Sequence, residues 1–431
     1  MSRKIIQVDE KVSFLMGLPL SVQHLFAMFG ASVLVPALFG INPAIVLLMN
    51  GIGTLGYLII CKGKIPAFLG SSFAFIPPVL LILGSDKTLW AINYPLALGG
   101  FIVAGLILVI LSLVINFFGS NWLKIVFPPA VIGPIIALIG LGLAGTAANM
   151  AGIVVENEIY VTKTVVVSMI TFFVAIFGAI LFRGFLAVIP VLIAILVGYI
   201  SAIALNIVDF SKISEAAFFA IPNFTAPRFQ LDAIITIIPA VFVVISEHIG
   251  HFMLTQHIIN KDLAKDPGLH RSIFGNGFFT MISGIFGSVP NTTYGENISV
   301  MAITRVYSVW VIGGAALLSI AIAFIGKITA LIQSIPTAVM GGVSLFLFGV
   351  IAVAGVRYVV EEKVDYSKTM NLVLSSVVFI IGISGASFYI GTIQLKGVSL
   401  ATLMGLLLSI LFHLLEKLRL TNESQTPSED Q

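Results

Sequence analysis

The sequence is short of charge. Asp, Glu, Lys and Arg make up 10% of its 431 residues, where a soluble domain carries about 25%. That shortage excludes a water-soluble globule of this length. Cysteine is nearly absent too: Cys61 stands alone, which excludes an internal disulfide framework. Lys62 and Lys64 beside it place it near a helix end, where it reads as an inert core or interface thiol. The net charge of +3 is too small to argue for a nucleic-acid partner. There is no Gly-rich phosphate loop, no HExxH and no Ser nucleophile elbow. No close pair of His, Asp or Glu ligands repeats on a second element, so no metal is expected. No nucleophile–base pair is apparent, so an enzyme is not expected either.

What the chain has is apolar length. Hydrophobic residues are 58% of it, and the mean hydropathy is +1.12. Runs of about 20 residues, enough to span a bilayer, fall near 14–39, 43–61, 93–117, 127–149, 163–182, 186–207, 231–253, 271–289, 306–326, 335–356, 370–388 and 396–415. Shorter, interrupted runs lie at 66–84 and 290–305. The polar stretch Met1–Lys11 and the long run after it do not read as a cleavable signal. The expectation is an all-α polytopic membrane protein with 14 crossings and both termini on the cytoplasmic side.

Positive charge supports that count. With the N-terminus inside, 16 Lys and Arg residues fall inside and 6 outside, the bias expected of a cytoplasmic N-terminus. Twelve crossings would scramble the asymmetry. The longest loops are 151–162 and 209–229 outside, and 260–270 and 356–369 inside. None could hold a soluble domain, so the chemistry is expected within the membrane. The tail 419–431 is polar, Ser/Glu-rich and expected to be disordered.

The stretch from Gly287 to Arg305 sits where a membrane helix is expected. Pro290, Asn291, Gly295 and a run of Asn, Thr and Ser oppose a continuous apolar helix. Irregular backbone at membrane depth is tolerated only where protein buries it or it lines a cavity. Glu296 stands in the middle. An acid there costs roughly 2.5–3.5 kcal/mol on insertion scales, which marks a functional site by default.

Three resemblances within the chain share one offset, roughly 210–225 residues or seven spans. Phe127-Pro-Pro-Ala-Val-Ile-Gly133 is similar to Ile335-Pro-Thr-Ala-Val-Met-Gly341. Gln23-His24 sits where Glu247-His248 sits. The interrupted segment Leu69–Phe75 falls opposite Thr293–Asn297. An odd number of spans per half inverts the second half. Interrupted segments in corresponding positions of inverted halves point to a transporter's binding site.

Glu247 and Glu296 are the two acids well inside apolar runs. His251 lies four residues after Glu247, so the two share a helix face and are expected to pair and to hold one proton between them. Gly70, Ser71 and Ser72 let backbone approach a ligand and leave amides free where a helix restarts. Phe73 and Tyr294 could offer flat faces to a planar ring. His24 and His248 read as satisfied core residues, and Arg305 as the cap of the interrupted segment's inner end. Carboxylates accept from ring N–H groups, and backbone amides meet ring carbonyls. A neutral planar nucleobase fits that set.

At these residues the chain resembles a known family. Pro19–Ala31, Gly63–Phe75, Ser246–His251 and Pro290–Asn297 are similar to the first, third, eighth and tenth spans of bacterial uracil permeases in the nucleobase–ascorbate transporter (nucleobase:cation symporter-2) family. The resemblance runs from about residue 8 to 419. It implies two inverted repeats of seven spans, with segments 3 and 10 each a short strand plus a half-helix. It implies a core domain from 12–118 and 230–327, and a gate domain from 119–208 and 328–418. It implies proton-coupled uracil import across the cytoplasmic (inner) membrane by a homodimer, with no cofactor beyond the coupling proton. Carried over, Glu247 and Glu296 bind the base with Phe73, Tyr294 and the Gly295 amide around it. Glu247, His251 and Glu296 are the proton-coupling candidates. Two departures stand out: Ser299 replaces the signature's Gly, and Phe348 stands where uracil permeases can carry Tyr. A purine (xanthine or urate) symporter of the same family is the alternative. An anion exchanger or channel of the same architecture is a third reading, against which two acids at the site argue.

Overall fold

The computed structural model describes residues 5–84, 86–120, 122–154, 162–184, 186–390 and 393–421. The tail expected to be disordered lies outside the described residues from 422 onward, as does most of the loop 151–162. In chain order the main elements are α1 (Phe14–Phe39), α2 (Pro43–Ile60), β1 (Leu69–Ser71), α3 (Ile76–Leu83), α4 (Trp90–Phe118), α5 (Pro129–Gly142), α6 (Thr162–Leu181), α7 (Pro190–Ala204) and α8 (Leu231–Ile259). The second half continues with α9 (Leu269–Ile285), β2 (Asn291–Thr293), α10 (Gly295–Thr304), α11 (Val309–Ala323), α12 (Thr337–Glu361), α13 (Thr369–Ile383), the strands β3 (Ser387–Ile390) and β4 (Ile393–Lys396), and α14 (Val398–Lys417).

Local sequence sets many of these boundaries. The Asn42 side chain accepts from the Ala44 amide and Pro43 opens α2, a start signal that uses proline's missing N–H. Ser308 caps α11 by accepting from the Trp310 amide, without a following proline. Gly40 closes α1 at φ 68°, a left-handed conformation suited to glycine. Among the described residues, eight helices are long and apolar enough to cross a membrane. The helix α9 is not one of them. Its buried Ser272, Asn276, Thr280 and Ser283 form a polar stripe, tolerable because protein rather than lipid surrounds that face.

Helices meet through glycine. The helix α4 packs on α9, and α2 on α11. A Cβ added to Gly105 would stand 2.6 Å from the Gly277 carbonyl oxygen, and one on Gly51 2.6 Å from that of Ala316. Small residues of this kind let membrane helices approach backbone to backbone. Further packing joins α8 to α4, α1 to α11, α5 to α12, and α6 to both α7 and α12.

The strands β1 and β2 pair antiparallel, with Leu69 opposite Thr293, Gly70 opposite Thr292 and Ser71 opposite Asn291. All six residues are buried. The second pair, β3 with β4, is a hairpin that apolar length alone does not anticipate. In it Phe388 stands opposite Leu395; Leu395 is buried and Phe388 is exposed.

Candidate functional site

The strand pair β1–β2 is the scaffold of the site. Backbone bonds extend it: the Ser72 amide donates to the Pro290 carbonyl at 3.0 Å, and the Tyr294 amide to that of Phe68 at 3.0 Å. Beyond each strand the chain coils into a helix, through the 3-10 turn Phe73–Phe75 into α3 and directly into α10. No side chain caps either start, at Ser72 or at Tyr294. Helix N-termini present amides without internal partners and the positive end of the helix dipole. Two such starts therefore flank the strand pair, ready to donate to a ligand's carbonyl oxygens.

The helix α8 supplies the acceptor. Glu247 is half-buried, and the Thr292 hydroxyl donates to its Oε2 at 3.4 Å. His251, one turn on, shares a hydrogen bond with Thr293 instead, Nδ1 to Oγ1 at 3.1 Å. The expected Glu247–His251 pair is thus not formed. The adjacent hydroxyls of Thr292 and Thr293, at the end of β2, each take one member of it. The His251 ring also lies over the start of α10: a Cβ on Gly295 would meet its Nε2 at 3.0 Å.

Tyr294 departs from the reading of its ring as an open stacking face. Its side chain is buried, and its hydroxyl donates to the Ser71 carbonyl at 3.2 Å. The ring packs on Gly70, where an added Cβ would sit 2.2 Å from Cζ. Glycine is required there because two backbones and a ring converge. Phe73 is half-buried and keeps part of its ring accessible. Gly70→Ala should therefore displace Tyr294 and the strand pair, an overpacking cost of about 1–3 kcal/mol. The expected result is ligand binding weakened at least about tenfold in protein that still reaches the membrane. Measured binding equal to that of the unaltered chain would remove the Gly70–Tyr294 contact from the site.

Glu296 lies in the first turn of α10 and is exposed. Ser299 and Ile303, three and seven residues on, are exposed on the same helix face. Farther along, Ile303 and Thr304 line a cavity of 520 Å³ together with Gln23, Gly184, Glu10 and Lys11. Glu296 thus stands at the head of an open face, while Glu247 is half-buried and held by the Thr292 hydroxyl. Ser299, the signature departure, donates its hydroxyl to the Gly295 carbonyl at 3.0 Å. Phe348, the other departure, is buried in α12.

The remaining expected residues serve the scaffold. His24 is buried and accepts from the Asn297 side-chain amide at both Nδ1, 3.1 Å, and its carbonyl, 3.0 Å. His248 Nε2 meets Ser272 Oγ at 2.7 Å, and Tyr57 meets the same oxygen at 2.6 Å. Arg305 is the left-handed C-cap of α10, at φ 59°. Cys61 is buried at the end of α2. Among the described residues, no group of three or more His, Cys, Asp or Glu could hold a metal ion. Thr292 and Thr293 were missed as site residues. Their signal was the Asn-Thr-Thr run, legible as a helix breaker but not as a source of hydroxyls for α8.

The profile described as "Permease family" matches residues 16–390. The chain is 56% identical over 420 residues to the uracil permease of Escherichia coli, covering 97% of this chain and 96% of that protein. It is 54% identical over 427 residues to the uracil permease of Paenibacillus larvae subsp. larvae, covering 98% and 100%. Among solved structures, it superposes on the transmembrane domain of a cyanobacterium bicarbonate transporter, BicA, with a TM-score of 0.61 at 14% identity, over 95% of this chain and 99% of that one. A likeness at that identity speaks for the fold alone.

Proposed function

We infer the activity of this chain from the premise that it belongs to the nucleobase–ascorbate transporter family of permeases. It is a transporter, not an enzyme, and it takes up uracil. The observation that carries the reading is the juxtaposition around β1–β2: a carboxylate on α8, held by Thr292, beside two uncapped helix starts. Glu247 and Glu296 accept from the ring N–H groups, and the amides at Phe73 and Gly295 donate to the ring carbonyls. Phe73 covers one face of the base. Tyr294 contributes by positioning, through Gly70 and Ser71.

The chain crosses the membrane 14 times. The eight long helices are joined in this count by the shorter α3, α7, α9, α10, α11 and α13. Two inverted repeats of seven spans account for the packing. Shifting each number by seven turns the α4–α9 contact into α11–α2, and α8–α4 into α1–α11. It returns α5–α12 and β1–β2 to themselves. Spans 1–4 and 8–11 form a core that carries the site, and spans 5–7 and 12–14 form a gate. Movement of one against the other alternates access. The charge asymmetry supports a cytoplasmic N-terminus, and the family resemblance supports an inner-membrane location and a homodimer.

Uptake is coupled to protons, and Glu296 carries the proton. A coupling group must exchange with water on each side, and Glu296 is the exposed acid of the two. Protonation removes its charge, which lowers the cost of moving the loaded core through lipid. The expected result is that labelled uracil accumulates faster in proteoliposomes with an acidic exterior than in those without a gradient. Uptake indifferent to the gradient would end the symport claim. Competition by unlabelled xanthine as strong as by uracil would shift the substrate to a purine.

A further inference from the structure

The segment between α7 and α8 carries an unexplained apolar surface. Phe218, Phe219, Ile221, Phe224 and Phe229 are 54–77% exposed, and residues 216–230 hold one charge, Arg228. A monomeric protein rarely leaves such a patch in water. Nor is the segment a loose loop. The Ala220 amide donates to the Phe324 carbonyl at 3.0 Å, and the Gly326 amide to that of Phe218 at 2.8 Å. Phe219 bridges Ile325 antiparallel. Farther on, Phe224 packs edge-on against Phe286 with ring centroids 5.8 Å apart. A Cβ on Gly287 would strike the Thr225 backbone at 2.5 Å, and the Arg228 amide donates to the Pro95 carbonyl at 2.8 Å. The chain is strapped across the ends of α4, α9 and α11, with its aromatic rings turned outward.

We propose that this strap is an interfacial anchor whose partner is the bilayer itself. Exposed apolar side chains flank its contacts: Ile92 on α4, three residues before the Pro95 that Arg228 bonds, Ile285 on α9 next to the Phe286 that Phe224 packs on, and Leu231, two residues beyond Phe229. Those residues lie on the surface that the transport reading gives to lipid. Amphipathic interfacial segments carry Trp, Phe and Leu on their apolar face and bury that face roughly 5–10 Å into the headgroup–acyl boundary. Phe and Ile have no polar tip, so these rings lie beneath the headgroups rather than among them. The strap thereby ties the site-bearing helices to one leaflet. It rests on the proposed membrane topology, which also sets its side, the outer one.

The test places a reporter in the strap. In a chain whose three tryptophans, Trp90, Trp122 and Trp310, are replaced by Phe, single Phe219→Trp, Ile221→Trp and Ser214→Trp variants are reconstituted in phosphatidylcholine vesicles. Ser214 is exposed in the polar first part of the segment. Lipid brominated near the headgroup end of its acyl chains should quench positions 219 and 221 at least about twofold more than position 214. Aqueous acrylamide should show the opposite order. Equal acrylamide quenching at all three positions overturns the proposal. So does protection of 219 and 221 from both quenchers, which would mean that protein covers the strap. Uracil uptake by the same vesicles is scored separately. Lipid contact without uptake keeps the anchor and ends the transport reading, and uptake without lipid contact does the converse.

Discussion

Glu247→Ala is expected to abolish uracil binding. The carboxylate is half-buried on α8 and held by the Thr292 hydroxyl at 3.4 Å. Truncation removes the acceptor for one of the base's N–H groups. It also leaves the Thr292 hydroxyl without its partner. Hydrogen bonds to a charged group contribute about 1.5–3 kcal/mol each, and 1.4 kcal/mol is tenfold in affinity. Losing one such bond and leaving the ring N–H unpaired, at a further cost of about 1–3 kcal/mol, weakens binding by at least about 100-fold. Glu247→Gln tests the chemistry more finely, because it keeps the shape and one oxygen but places an N–H₂ donor against the ring's own donors. Its affinity should fall nearly as far as that of the alanine variant. Binding of labelled uracil to purified protein checks both. Affinity in either variant close to that of the unaltered chain would remove Glu247 from the site.

How much of this was legible beforehand depends on the kind of signal. Glu247 and Glu296 could be found because a charge in an apolar run is costly, and cost shows in a sequence. The interruption at Pro290–Gly295 could be found because proline, glycine and short polar residues oppose a helix. The partner of His251 could not. Helical spacing places His251 on the face of Glu247, but the hydroxyls that separate the pair come from β2, forty residues later. Which of two nearby groups a histidine bonds is decided by the third element, and no periodicity encodes that. Tyr294 failed for a related reason. An aromatic beside a site suggests a stacking face, yet the glycine opposite it in β1 made a seat for the ring. The hairpin Ser387–Lys396 is not legible because the apolar runs 370–388 and 396–415, the stronger signal on either side, leave only a short connection between them.

Glu296→Ala is also expected to abolish binding, and Glu296→Gln is expected to separate binding from coupling. The two acids are not equivalent in their surroundings. Glu247 accepts from a fixed hydroxyl, whereas Glu296 is exposed at the head of the face that continues through Ser299 to Ile303. Loss of the whole side chain at 296 removes an acceptor beside the Gly295 amide and should cost about 100-fold in affinity, as at 247. Glutamine restores the shape, an oxygen for hydrogen bonding and the neutral charge of the protonated acid. It cannot gain or lose a proton. Glu296→Gln should therefore bind uracil within about tenfold of the unaltered chain, because the neutral form is the one that moves with cargo. Its exchange of uracil across the vesicle membrane should persist, while net accumulation should no longer respond to an acidic exterior. If Glu296→Gln still accumulates uracil in proportion to the imposed gradient, the coupled proton travels elsewhere, and Glu247 becomes the group to examine.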